Sequence, residues 1–116
     1  MALSINIAPI FPPTSLTTTA LTLATIPATG TNATVLTNGK IRFANTTSGS
    51  LTVTAYGAPP GVAGGAINAF AQAESVAANA HLDVAIPLLP AGYTLQALAS
   101  ATGITASQIS GVVMSQ

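Results

Sequence analysis

The sequence predicts an all-β protein. The expected form is a small antiparallel β-sandwich or jelly roll of seven to eight strands, with an extended N-terminal arm. Short runs of alternating apolar and polar residues recur at the spacing of about 8–12 residues typical of such folds. Asn-Gly, Pro and Gly signals punctuate them. Stretches of helical period are nearly absent, and Thr, Val and Ile suit a pleated, half-buried surface.

Residues 1–15 read as the arm and residues 16–116 as the sandwich domain. In the arm Ile5, Ile7, Ile10 and Phe11 are apolar, while Pro9, Pro12 and Pro13 impose an extended path. Apolar residues on an arm need a surface, either the domain's own edge or a neighbouring subunit. Thr18 to Thr25 is the first strand candidate, with Leu21 and Leu23 alternating. Ala33 to Leu36 is a short second run. Asn38-Gly39 tolerates positive φ and reads as a tight turn. Ile41 and Phe43 then point one way, Lys40, Arg42 and Ala44 the other. Leu51, Val53 and Ala55 alternate after the polar turn Asn45 to Ser50, so these two runs are expected to pair across it.

Gly57 to Gly65 holds Pro59, Pro60 and four glycines and reads as a loop. Ala66 to Ala80 is ambiguous. Strand or irregular structure is expected over Ile67 to Ala71, with a turn near Asn79 and one helical turn at Ala71 to Val76 as the alternative. Leu82, Val84 and Ile86 face inward from the next strand. Pro87 to Gly92 turns, Tyr93 to Ala99 is a strand, and Ile104 to Met114 closes the fold with a bulge expected at Gly111.

Composition narrows function more sharply than fold. Only Lys40, Arg42, Glu74 and Asp83 carry formal charge, 3% of 116 residues, and the net charge is zero. Ordinary soluble domains hold about 25% charged residues. A surface of Thr, Ser, Asn, Gln and Ala is easily desolvated, because no ion is stripped of water. Permanent packing against copies of itself or a larger assembly follows as the expectation. There is no cysteine, which excludes disulfides and thiolate metal sites. No apolar run reaches the roughly 18 residues of a membrane span. The N-terminus lacks the basic start of a signal peptide, so export by that route is not expected.

Catalytic chemistry has little to work with. The single His81 lies two residues from Asp83 on one strand face, but nucleophile and third metal ligand are missing from any motif. No enzyme activity, cofactor or metal is expected. Lys40 and Arg42 are too few for a nucleic-acid footprint and read as an interface contact or edge-strand gatekeeper. Pairing of Arg42 with Asp83 or Glu74 across subunits is open. Tyr56 and Tyr93 read as interface plugs ahead of a sugar platform. Asn32 and Asn45 begin Asn-x-Thr sequences that chance explains in so Thr-rich a chain.

Four stretches carry a family resemblance. They are Ile41-Arg42-Phe43-Ala44-Asn45-Thr46-Thr47, Leu51-Thr52-Val53-Thr54-Ala55-Tyr56, Leu88-Leu89-Pro90-Ala91-Gly92-Tyr93-Thr94-Leu95-Gln96-Ala97 and Ile109-Ser110-Gly111-Val112. The pattern resembles the small virion structural proteins of tailed bacteriophages, over roughly residues 16–114. The resemblance implies a β-sandwich that decorates or cements the outer capsid, commonly as a trimer, with the major capsid protein as partner. A tail, baseplate or head–tail connector component, or a head-fibre or receptor-binding module, is the alternative. It implies neither a nucleic-acid nor a membrane partner and supplies no catalytic residues. The expected assembly contacts are Ile5, Ile7, Ile10, Phe11, Lys40, Arg42, Tyr56 and Tyr93.

Overall fold

A computed structural model describes residues 4–6, 10–27 and 34–115. Within them lie ten strands: β1 (Ser4–Asn6), β2 (Thr14–Ser15), β3 (Leu21–Thr25), β4 (Thr34–Asn45), β5 (Leu51–Ala58), β6 (Ala69–Val76), β7 (His81–Ala85), β8 (Leu89–Pro90), β9 (Thr94–Ala99) and β10 (Ile104–Ser115). Seven of these are five residues or longer. A turn of 3-10 helix, Ala66–Asn68, precedes β6.

The strands form two antiparallel sheets. In the first, β10 lies between β4 and an outer lane shared by β1 and β2, and β4 lies between β10 and a lane shared by β7 and β8. The second runs β3-β9-β5-β6. Only β5 and β6 are sequential neighbours in the same sheet through a hairpin. The links from β2 to β3, β3 to β4, β4 to β5, β6 to β7 and β9 to β10 all cross between sheets. This is jelly-roll wiring, so the expected fold class holds.

The inner faces meet in one core. Ile41 and Phe43 from β4, Val53 and Ala55 from β5, Leu95 and Ala97 from β9, and Ile104 and Ala106 from β10 are all buried. Each large apolar side chain here stabilises the fold by about 2 kcal/mol.

Two sequence expectations fail on topology. Ile41 to Ala44 and Leu51 to Tyr56 do not pair with each other; they lie in opposite sheets. Alternation marks each run as half-buried but does not distinguish side-by-side pairing from packing across a core. Asn38-Gly39 is not a hairpin turn. Asn38 does take positive φ (56°), but inside the continuous strand β4. There the register against β10 shifts between Gln108 and Ser110 and again between Ser110 and Val112. Gly111, at φ 142°, supplies the bulge anticipated there. In the ambiguous stretch, β6 is one strand interrupted at Ala73 (φ 49°), whose N–H donates to Thr54 Oγ1 at 3.0 Å. Asn79 (φ 53°) makes the expected turn.

The sandwich has two distinct ends. Loops 16–20, 46–50, 77–80 and 100–103 gather at one, around Asn45. Asn45 is 2% exposed. Its Nδ2 donates to Gly49 O (2.9 Å) and Val76 O (3.1 Å), and its Oδ1 accepts from Thr47 N (2.9 Å) and Thr47 Oγ1 (2.7 Å). Loops 59–68 and 86–93 lie at the opposite end.

Candidate assembly surfaces

Strand β4 projects Lys40, Arg42 and Ala44 from the outer face of the first sheet, because Ile41, Phe43 and Asn45 turn inward. Across the ladder, Ala85, Asp83 and His81 of β7 stand opposite these three in turn. Arg42 and Asp83 are therefore directly opposed, and they form a two-pronged ion pair within the chain. Nε donates to Oδ1 at 2.8 Å and Nη2 to Oδ2 at 3.0 Å. The hydrogen bonds from Arg42 hold the Asp83 carboxyl below its usual range, and in return raise the guanidinium. A shallow cleft beside the pair is lined by Arg42, Asn45, Thr46, Asn79 and His81.

Lys40 and Arg42 do not guard an edge, since β4 is an interior strand. The residue in a gatekeeping position is Glu74, exposed on the edge strand β6 beside the left-handed Ala73. Among the described residues no three His, Asp or Glu side chains gather as metal ligands. No helix among them is long and apolar enough to cross a membrane.

The charges divide the molecule laterally. All four, and His81, lie on β4, β6 and β7. Strands β1, β2, β3, β9 and β10 carry no ionisable side chain at all. One flank, bounded by the edges of β6 and β7, thus holds the charge. The other, bounded by β1, β2 and β3, is neutral.

The remaining anticipated contact residues scatter. Phe11 is 3% exposed and belongs to this chain's own core. Ile10 and Tyr93 are half-buried against it. Tyr56 is half-buried on the outer face of the second sheet, opposite Gln96 and Ala69, with the loop at Gly64 laid over its ring. The backbone of Ile5 pairs with Met114. The Ile5 side chain and all of Ile7 lie outside the described residues.

Sequence reasoning missed the most exposed large apolar side chains among the described residues. Ile67 is 98%, Leu88 62% and Val62 47% exposed, all in the loops of one end. The available signal was a large apolar residue set between Gly, Pro and Ala, where no strand could bury it.

The sequence matches no protein-family profile and no curated protein. Its fold does have neighbours. A chain from the structure of infectious bursal disease virus, Gx strain, is similar at TM-score 0.55 and 14% identity, covering 99% of this chain. A chain from the T13 particle of the same virus is similar at TM-score 0.57 and 12% identity over 97%. The chain spans only 33% and 31% of those viral proteins. A subunit of the disulfide-linked pili that form Bacillus endospore appendages is similar at TM-score 0.53 and 14% identity, over 99% of this chain and 89% of its own length. The shared property is the β-rich sandwich fold, found in proteins that build particles and fibres.

Proposed function

We propose that this chain is a structural subunit of a virion, a decoration or cement protein that binds the outside of a phage-type capsid as a homotrimer and bridges major capsid protein subunits. The observation that carries this reading is the division of the surface. A neutral flank and an end bearing Ile67, Leu88 and Val62 can be desolvated without stripping any ion of water. Such surfaces suit permanent contact. The viral neighbours support the reading through their fold, and the four-stretch resemblance to phage virion proteins supports it through sequence. Catalysis has no part in it.

Cement that binds only the intact lattice shifts the equilibrium away from disassembly. Particles lacking the protein should release DNA at lower temperature than complete ones, and purified protein added back should restore resistance in proportion to sites filled. Equal robustness of depleted particles, with failed joining of heads to tails, would move the protein to the connector or tail.

A second reading has its own observation. The appendage pilin is matched over 89% of its length, as one whole subunit, whereas the viral chains are matched over a third. A self-polymerising fibre subunit fits that end-to-end match. Electron microscopy of the purified protein separates the two: filaments from the protein alone support the fibre, and binding only to capsids supports the cement.

A further inference from the structure

The N-terminal segment is held in two unequal pieces. Residues 10–16 form a root. Phe11 and Leu16 are buried in the core, at 3% and 1% exposure. The Ile10 N–H donates to Gln108 Oε1 at 2.7 Å, and the Leu16 N–H to Ile104 O at 2.9 Å. The tip is β1, where Ser4, Ile5 and Asn6 stand opposite Ser115, Met114 and Val113. Burial anchors the root. The tip is paired over three residues in the outer lane of the sheet.

The receiving edge does not depend on the tip. Val113 and Met114 are also paired with Leu36 and Val35 of β4, so β10 is held in place from its other side. From the strand register, we infer that β1 is an exchangeable clasp: in adjacent copies it pairs with β10 of the second copy, in the register it uses within one chain. The inference takes from the assembly reading only the supply of neighbours; exchange itself needs two copies and no virion.

The contacts are the same in both arrangements, so exchange forfeits no hydrogen bond, which is why swapped elements form at low cost. What differs is the tether. Within one chain it keeps β1 at an effective concentration in the millimolar range, so an isolated copy closes on itself. Copies packed side by side supply comparable local concentrations. No ionisable side chain before Lys40 opposes the approach. Geometry restricts the neighbour, because the links from Ile10 to Asn6 reach at most about 14 Å. That tether must carry Asn6 to the second copy's Val113, one strand spacing of about 5 Å further on, so the second edge lies within about 20 Å of the first copy's root.

The absence of cysteine makes the test clean. Asn6→Cys and Val113→Cys chains are prepared separately, mixed at rising concentration and mildly oxidised. A disulfide joining the two kinds of chain forms only between copies. The expected yield is about tenfold above a control mixture of Asn6→Cys with Thr102→Cys, which lies at the opposite end, and it rises with concentration. The double variant Asn6→Cys/Val113→Cys should close within one chain when dilute. Closure of the double variant without mixed dimers above control would overturn exchange, and failure to close would overturn the register itself. Ser4→Cys with Ser115→Cys provides a second pair at the chain ends, where folding is least at risk. Capsids equally stable without the protein would end the cement reading and leave this result untouched.

Discussion

The two ends of the sandwich solve opposite problems with the same kind of loop. At one end, four loops are tied by Asn45, by Asn79 N–H to Thr47 O (3.1 Å), by Thr46 N–H to Gly103 O (3.1 Å) and by Ala99 N–H to Thr17 O (2.9 Å). Polar groups there are consumed internally. At the other end, apolar side chains stand in water and the loops are rich in Pro and Gly. The difference separates residues that hold the fold from residues available to a partner. A polar side chain buried at the first end stabilises the monomer. An apolar side chain exposed at the second contributes nothing to the monomer and gains free energy only on contact.

Substitutions at the tied end should therefore act on folding. Asn45→Ala removes four hydrogen bonds and leaves Thr47 N–H and Val76 O without their Asn45 partner, while Gly49 O keeps the hydrogen bond from Thr47 Oγ1 (2.9 Å). The expected loss is about 3 kcal/mol, read as a lower urea midpoint with unchanged slope. Gly103→Ala comes next. Gly103 sits at φ 120°, and a Cβ there would run into the Thr47 methyl. Strain and collision together should cost about 2 kcal/mol in the same measurement. Wild-type stability in either variant would mean that the loops are held by something other than this network.

Substitutions at the apolar end should leave folding alone. Ile67→Ser with Leu88→Ser should change stability by less than about 0.5 kcal/mol, since Ile67 is almost wholly exposed and Leu88 mostly so. Association should weaken about tenfold or more if this end is the contact surface. Sedimentation equilibrium and particle binding read that directly. A double variant that folds and associates normally would shift the contact to the neutral flank.

How far these regions were legible in the sequence depends on the range of the interaction. Period-two alternation placed the inward residues of β4, β5 and β7 correctly, because a pleat is a local property. Pairing partners were not legible. Ile41 to Ala44 and Leu51 to Tyr56 look like a hairpin, yet Asn45 turns inward and the chain crosses to the other sheet. Asn38-Gly39 announced a positive φ truly, but the same dihedral serves a turn or a bulge, and only the β10 partner decides which. At the candidate surface, low charge was legible at once. Its lateral separation was not, because it arises when β4, β6 and β7 come together from across the sequence.

The smallest expected effect lies between the ends, at the exposed Arg42–Asp83 pair. Hydrogen bonds from Arg42 lower the Asp83 pKa in the folded state. The unfolded chain therefore takes up this proton at a higher pH than the native protein does. The pair's contribution is fully present above the unfolded value of about 3.9 and is lost as pH falls through the lower native value. Between neutrality and about pH 5 this pair should add no slope to the stability curve. Exposure and solvent screening keep the amplitude small. Arg42→Gln removes the donors that create the shift, so its urea midpoint should fall less steeply than wild type below about pH 4. Superimposed acid limbs would show that the pair is a surface contact without thermodynamic weight. Stability would then rest on the core and the Asn45 network, and Arg42 would be free to serve a partner.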